Sequence, residues 1–547
     1  MSDGDCAFDS VIQTVGNDGK FQKRFNFLFN FVLVVLTSMP YLNIVIALAV
    51  PEHWCNVPGR EYTNHTIETW KELHIPMEYD NVGKYDFSKC KMYNRTSDIE
   101  NPEIIKCQDG WEFDKTWYDL TAPSQESWVC DETLHVTNAF VFSRLGEVFG
   151  TFVFGQLADA IGRRPVFFMT VVTIVLGRML SIITAYSVPL FFLTTFIGSL
   201  PSTSVFQGPL VIAMEISKNE DRAHIAMMQC LGWTVGLCML PLLMWVLRDW
   251  YYFMLVTTLP CFLYMFSGSF LIESPRWLAS KGKTKKCVKE LHKIAKVNNT
   301  KVPEDAIYTL AKVSGKEEKV YGMLALFSSW RLAKNSFLLI TGWSTTTLIY
   351  YTLTLNVNNL GGNPFMNFFW QGMAELPAYI VGKFASDKFG RRWTNIGAFV
   401  GTFLGCIPIL FIVHDKSNQI TVAAICVFLK FSISFAYYVV NLEALEIYPT
   451  CVRQTGISIG GIVGNAFGIL GPYVVLLGTE IDASYPYILS ACLCLIGAVC
   501  GVFLPETLNQ KLPETLAEAA VFGADQNLLG KRRKSVKMTE AEVPLKA

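Results

Sequence analysis

The stretch Gly155-Gln-Leu-Ala-Asp159-Ala-Ile-Gly162-Arg163-Arg164-Pro165 lies between two long apolar runs, and its core returns as Asp387-Lys-Phe-Gly390-Arg391-Arg392. A short charged turn repeated at matching places indicates two copies of one membrane unit. Duplications of this kind build pseudosymmetric bundles that rock against each other around a central site. Glycine permits the tight turn, and the arginines fix positive charge at a membrane surface. The aspartate ends a helix where an arginine from a neighbouring helix can pair with it. Such pairs can close one side in one state and part in the other, so function is sought between the halves.

Of 547 residues, 51% are hydrophobic, 13% aromatic and only 17% charged, which is too apolar for a soluble chain of this size. Forty-six basic residues balance forty-six acidic ones, so net charge points to no nucleic-acid partner. A helix needs about 20 mostly apolar residues to cross the hydrocarbon core. Twelve stretches qualify: 25–50, 136–157, 165–185, 188–213, 223–246, 252–272, 335–355, 365–384, 393–413, 421–443, 456–478 and 484–504. The expected fold is an all-α membrane protein with twelve transmembrane helices in two pseudosymmetric six-helix bundles. These occupy 25–273, with a large outer domain at 51–135, and 335–504. Residues 1–24 form an N-terminal segment, 274–334 a central loop and 505–547 a tail. The first run is about twice the apolar length of a cleavable signal and lacks a small-residue cleavage site, so it is read as helix 1.

Short loops on one side carry Arg163, Arg164, Lys218, Arg222, Arg391, Arg392 and Arg453, and the termini add Lys20, Lys23, Arg24 and Lys531 to Lys534. That side is expected to be cytoplasmic, with both termini inside and 51–135 outside. The outer segment holds Cys55, Cys90, Cys107 and Cys130, and the acceptor sequons at Asn64 and Asn94. Both features suit an oxidising, glycosylating compartment. Four cysteines allow three pairings, and sequence does not choose among them. A third sequon, at Asn298, falls in the central loop and is expected to stay unmodified. The lysines from Lys281 to Lys296 alternate with Val288, Leu291, Ile294 and Ala295. This pattern reads either as a helix under the bundle near anionic headgroups or as a solvated linker. The tail after Thr515 is polar and is expected to be largely disordered.

An ionisable group at membrane depth is costly unless paired, hydrated or functional. Helix 8 carries Glu375 beside Pro377, and helix 10 carries Lys430. A carboxylate and an ammonium can neutralise each other in an empty cavity and then engage the two ends of a substrate. Helix 7 offers Trp343, Tyr350 and Tyr351, the first two on one face. Tyr437, Tyr438, Phe206 and Gln207 are candidates to complete an aromatic cage for an ammonium group. In helix 2, Arg144 and Glu147 lie three apart on one face, as a docking pair, an ion relay or a selectivity element. Arg178 in helix 3 is expected to snorkel outward.

The repeated turn is the signature of the major facilitator superfamily, and further motifs narrow the resemblance. Pro51-Glu-His-Trp-Cys55, Cys107-Gln-Asp-Gly-Trp111 with Asp114, Glu273-Ser-Pro-Arg276-Trp277-Leu278, Glu446-Ile-Tyr-Pro-Thr450 with Arg453, and the doubled Pro-Glu-Thr at 505 and 513 are similar to the organic cation, anion and zwitterion transporters of solute carrier family 22. The chain is most like an organic cation/carnitine transporter. The resemblance implies a plasma-membrane, alternating-access transporter with an aromatic-lined central cavity. It gives gating roles to Asp159, Gly162, Arg163, Arg164, Asp387, Arg391 and Arg392, to Glu215 with Arg222, to Glu273 with Arg276, and to Glu446 with Arg453. Trp343 and Tyr350 match aromatic positions of that family. Asn465 stands where cation carriers have aspartate and anion or carnitine carriers arginine; Thr346 and Thr195 replace further charged positions. The family's simple charge rule for substrate therefore fails here.

The expected substrates are small organic cations or zwitterions, such as amines, quaternary ammonium compounds or carnitine-like molecules. An organic-anion exchanger centred on Lys430 and Arg144 is the alternative, and a non-transporting receptor or scaffold with this fold is a third. No metal-spaced cluster, nucleotide loop or nucleophile elbow is present, so no enzyme activity, cofactor or metal is expected. Substrate gradients, membrane potential and a coupled ion remain as energy sources.

Overall fold

The computed structural model describes residues 11–63, 65–79, 85–94, 103–218, 221–303, 323–449, 451–510, 512–513, 515–524 and 526, apart from the side chains of Glu61, Arg222, Ala223, Lys416 and Gln454. The long helical segments are α1 (Lys20–Ala47), α2 (Leu134–Ile161), α3 (Arg163–Ile183), α4 (Val188–Ile216), α5 (His224–Leu247), α6 (Trp250–Ser269), α7 (Trp330–Leu355), α8 (Pro364–Phe389), α9 (Arg391–Ile412), α10 (Gln419–Ile447), α11 (Thr455–Glu480) and α12 (Tyr485–Phe503). Nine of them are long and apolar enough to cross a membrane. The other three, α2, α7 and α8, are of similar length and hold Arg144 with Glu147, a run of threonines, and Glu375. Each expected apolar stretch corresponds to one segment. Four are irregular: α1 contains π-type turns at Asn26–Val32, α4 breaks between Ser199 and Ser204, α6 ends in 3-10 turns at Leu259–Ser269, and α11 breaks between Gly468 and Gly471.

Small residues let the helices of the first half close together. A Cβ at Gly150 of α2 would lie 1.6 Å from the carbonyl oxygen of Leu200 in α4, and one at Gly146 would lie 2.3 Å from that of Phe196. Gly177 of α3 abuts Gly198 of α4 in the same way. Lipid is as apolar as the helix surface, so close van der Waals contact replaces the hydrophobic effect as the source of association. The halves meet where α5 lies against α8 and α2 against α11.

Between α1 and α2 the described residues form three antiparallel two-stranded ladders: β1 (His53–Cys55) with β6 (Trp111–Phe113), β2 (Met77–Tyr79) with β3 (Tyr85–Phe87), and β4 (Lys91–Tyr93) with β5 (Ile104–Lys106). Of the three pairings open to its cysteines, the structure has Cys55–Cys107 and Cys90–Cys130. These two bonds tie a domain whose apolar core is little more than Cys55, Val57 and Met92. Asn94 lies at the end of β4, whereas Asn64 lies outside the described residues.

At the opposite end of the bundle, Thr284–Asn298 is a helix that buries Cys287, Leu291, Ile294 and Ala295 and leaves most of its lysines outward. At the third sequon, Asn298 Oδ1 accepts from the Phe21 backbone N–H at 2.9 Å, and its Nδ2 donates to Gly16 O at 3.2 Å and Gln22 Oε1 at 3.1 Å. The side chain is a clamp on the N-terminal segment. One expectation is corrected. Arg178 does not snorkel; it is 0% exposed and donates from Nε to Pro40 O at 2.9 Å and from Nη2 to Ser199 Oγ at 3.2 Å. Of the tail after Thr515, the described part holds a short helix at Leu516–Val521 and Gln526. The amide of Gln526 exchanges hydrogen bonds with the Glu506 backbone at 2.7 and 2.8 Å. The remaining tail, with Lys531 to Lys534, lies outside the described residues.

Substituting valine at Gly150 is expected to force α2 from α4 and abolish a monodisperse peak in fluorescence-detected size exclusion. Gly155→Ala, where an added Cβ meets nothing within 4 Å, should leave the peak intact.

Candidate functional site

Two ion pairs lie side by side in the middle of the bundle, one from each half. In the second half, Glu375 of α8 and Lys430 of α10 are 0% and 3% exposed, with Lys430 Nζ 3.4 Å from Glu375 Oε1. Tyr350 of α7 donates to the same oxygen at 2.6 Å. Lys430 Nζ also donates to Thr354 Oγ1 at 2.6 Å and stands 3.1 Å from the centroid of the Tyr350 ring. The lysine is thus an ammonium group held by a hydroxyl, a carboxylate and an aromatic face, the set that would hold an ammonium from outside. The second carboxylate oxygen, Glu375 Oε2, and the amide nitrogen Gln371 Nε2 are buried with no hydrogen-bond partner among the described residues. Both residues line a narrow cavity with Thr354, Phe368, Lys430 and, from α5 of the first half, Leu237.

In the first half, Arg144 Nη1 donates to Glu147 Oε2 at 2.6 Å and to the Tyr41 hydroxyl at 3.0 Å. Tyr41 donates to Glu147 Oε1 at 2.7 Å, and Thr203 of α4 donates there at 3.0 Å. With the Tyr41 proton committed, Tyr351 of α7 donates to the Tyr41 oxygen. The Arg144 guanidinium lies 3.4 Å from the Tyr351 ring centroid. This network crosses between halves. Consecutive residues of α7 serve the two pairs: Tyr350 holds the Glu375–Lys430 pair, and Tyr351, its ring perpendicular to that of Tyr350, holds Arg144.

The remaining aromatic candidates are spread around this centre. Phe206 stacks edgewise on Trp233, which meets Tyr41. Tyr438 lies 6.4 Å from Tyr379 of α8, and Tyr437 is 41% exposed despite its place mid-helix. Gln207 is exposed and Asn465 half-buried. Trp343 stands apart from the Tyr350 ring: its indole donates to Asn441 Oδ1 at 3.2 Å and packs on Gly460 of α11. Sequence reasoning missed Tyr41, Thr203, Thr354 and Gln371, each an ordinary helix residue with no local signal. Only their place opposite a charge marks them.

The repeated turns share one construction. In the first half the Glu273 carboxylate accepts the backbone N–H groups of Arg163 and Arg164 at 2.8 and 3.3 Å, closing the start of α3. In the second, Glu506 does the same for Arg391 and Arg392 at 2.9 and 3.3 Å, closing the start of α9. A helix N-terminus favours such a negative charge. Gly162 and Gly390 have φ of +112° and +89°, and a Cβ on either would lie 2.4 Å from the carboxylate oxygen. Next along, Ser274 donates to Glu215 as Thr507 donates to Glu446. Asp159 pairs with Arg163 at 3.1 Å and Asp387 with Arg391 at 3.3 Å; Arg391 also binds Glu446 at 3.1 Å. Each aspartate near the end of one helix thus pairs with the arginine that begins the next, α2 with α3 and α8 with α9. Each of these contacts joins residues of one half. Arg453 donates to Tyr448 O at 3.1 Å, Arg276 follows Ser274 in a short helix, and the Arg222 side chain lies outside the description. Glu506 and Thr507 entered the sequence reading only within the Pro-Glu-Thr motif and were given no gating role, although Glu273-Ser274 matches Glu506-Thr507.

At the other end the halves touch. Asn358 donates to Val45 O at 2.9 Å, Tyr473 to Asn138 at 3.3 Å, and Phe365 packs among Trp117, Tyr118 and Trp245.

A family model for sugar (and other) transporters matches residues 85–518. Among curated proteins the chain is 29% identical to a beta-alanine transporter of Drosophila melanogaster, covering 93% of this chain and 89% of that protein. It is 28% identical to a human organic cation/carnitine transporter 2, covering 93% of each. A solved structure of the major facilitator superfamily proton:xylose symporter XylE superposes with a TM-score of 0.56 at 15% identity, covering 91% of this chain and 100% of that one.

Removing one partner of a buried pair leaves an uncompensated charge, at a cost of about 3–5 kcal/mol. Arg144→Met should lower the thermal midpoint of the purified protein sharply, and the added change Glu147→Gln should restore much of it.

Proposed function

The chain belongs to the sugar (and other) transporter family, and we propose that it carries small organic cations or zwitterions across the plasma membrane through the centre between its halves. Its fold is that of the major facilitator superfamily and it is a transporter, not an enzyme. The substrate class rests on one observation: a buried ammonium, that of Lys430, already occupies the Tyr350 face beside Glu375. A substrate ammonium takes the place of Lys430 on that carboxylate and ring, and the displaced lysine, or Gln371, meets the carboxylate of a zwitterion. The second oxygen of Glu375, without a hydrogen-bond partner among the described residues and lining a cavity, is the point of first contact. The names of the beta-alanine and carnitine relatives support a zwitterion-compatible site. Both basic groups of the centre are held by carboxylates, which argues against an anion exchanger built on Lys430 and Arg144.

All twelve long helices are proposed to span the bilayer, with the arginine-bearing turns and both termini cytoplasmic and the disulfide-bonded domain outside, glycosylated at Asn64 and Asn94. The described conformation then faces inward. The halves touch at the outer end, and the inner charges of Asp159, Arg163, Glu215, Glu273, Asp387, Arg391, Glu446 and Arg453 serve as gates that trade contacts within a half for contacts across it. Such an arrangement runs on substrate gradients and membrane potential, the latter worth about 2.3 kcal/mol per 100 mV for a monovalent cation.

Tracer uptake into cells expressing the chain tests this reading with tetraethylammonium, β-alanine, carnitine and benzoate. Saturable uptake of the first three classes is expected, and Glu375→Gln should cut it about 10- to 100-fold, the worth of a charge-assisted hydrogen bond. Lys430→Ala should spare tetraethylammonium and impair the zwitterions. Accumulation of benzoate alone, untouched by Glu375→Gln, would overturn the assignment.

A further inference from the structure

The geometry points to a proton-binding site at Glu443, separate from the paired charges of the central site. Glu443 of α10 is 0% exposed, and Asn395 of α9, which contacts it, is 2% exposed. Asn395 Nδ2 donates to Glu443 Oε2 at 2.6 Å. The two remaining oxygens, Glu443 Oε1 and Asn395 Oδ1, are both buried and both lack a hydrogen-bond partner among the described residues. Two leftover acceptors on one bonded carboxyl–amide pair are what an ionised carboxylate leaves, because it has no proton to give. One proton on Oε1 converts it to a donor toward the amide oxygen and closes a two-bond ring between acid and amide. The same proton removes a bare charge from the membrane interior and satisfies two buried atoms, each otherwise costly.

The charged groups around the site do not replace that proton. They are Arg392 at the start of α9, Glu446 one turn further along α10, and Glu506 beyond α12. Glu446 is held by Arg391 at 3.1 Å, Glu506 by the backbone of the α9 start, and the Arg392 guanidinium donates to Val502 O. Glu443 thus sits among two carboxylates and one guanidinium, where its ionised form would add a third negative charge. Because the Arg391–Glu446 pair is one helical turn away, loss of this proton adds negative charge beside the lattice of the arginine-bearing end. The proton is then a ligand that shifts the balance of that gate. This coupling role rests on the transport reading above; the proton site itself does not.

The test uses infrared spectra of the purified full-length protein in lipid vesicles at neutral pH. The difference between the unsubstituted protein and Glu443→Gln should contain the carbonyl-stretch band of a protonated carboxylic acid. That band should shift in Asn395→Leu and persist unshifted when Glu375→Gln is the background. A difference spectrum showing only ionised carboxylate overturns the proton site. In cells, uptake of tetraethylammonium and β-alanine should vary with pH, and the profile should be flat in Glu443→Gln; an unchanged profile in that variant overturns the coupling. An acid band without uptake of either tracer upholds the proton site and sinks the transport reading on which the coupling depends.

Discussion

A charge placed at membrane depth must be neutralised by the protein itself, and the centre of this molecule is built around that requirement. Arg144 and Glu147 answer it in the first half, Glu375 and Lys430 in the second. Hydroxyl groups complete both pairs: Tyr41, Thr203 and Tyr351 on one side, Tyr350 and Thr354 on the other. The glycine-lined approach of α2 to α4 is needed for the same reason, since Arg144 and Glu147 sit on the helix that those contacts hold in place. Water entering a loosened bundle would solvate the charges separately and dissolve the reason for their pairing.

The same logic recurs at the arginine-bearing end with backbone in place of side chains. A carboxylate from the end of each half caps the helix that follows the repeated turn, and a hydroxyl next to it binds the acid that ends α4 or α10. Each half is thereby tied to itself. Two self-contained units can separate at this end without breaking the bonds that keep either one folded. That is the mechanical condition for rocking, and the contacts around Phe365 and Val45 supply the opposite, closed end.

The duplicated turn, the apolar spans and the cysteine-bearing segment between α1 and α2 were legible because each is a local pattern with a fixed physical meaning. Glu375, Lys430, Arg144 and Glu147 stood out because charge is rare in an apolar run. What stayed hidden is relational. Tyr41 and Thr354 gain their meaning only from the charge each one meets, and the choice of Cys55–Cys107 over the other pairings needs the β1–β6 ladder to bring the two together. Arg178 was misread because its distance from the helix end was visible, whereas the Pro40 carbonyl awaiting it was not. The two-bond grip between Gln526 and Glu506 was likewise hidden, since nothing local in a polar tail marks it. Asn298 shows the converse: a sequon pattern that is, in the fold, a structural amide.

Tyr350 and Tyr351 are neighbours in sequence with perpendicular rings, so whatever turns one about the α7 axis must turn the other. On the reading proposed above, a guest on the Glu375 side that turns α7 through Tyr350 would also swing Tyr351 relative to Arg144 and Tyr41 on the far side. One peptide unit then acts as a crank, converting occupancy in one lobe into torque on the seam with the other. No long-range wire through the protein is required for the two lobes to sense the same passenger.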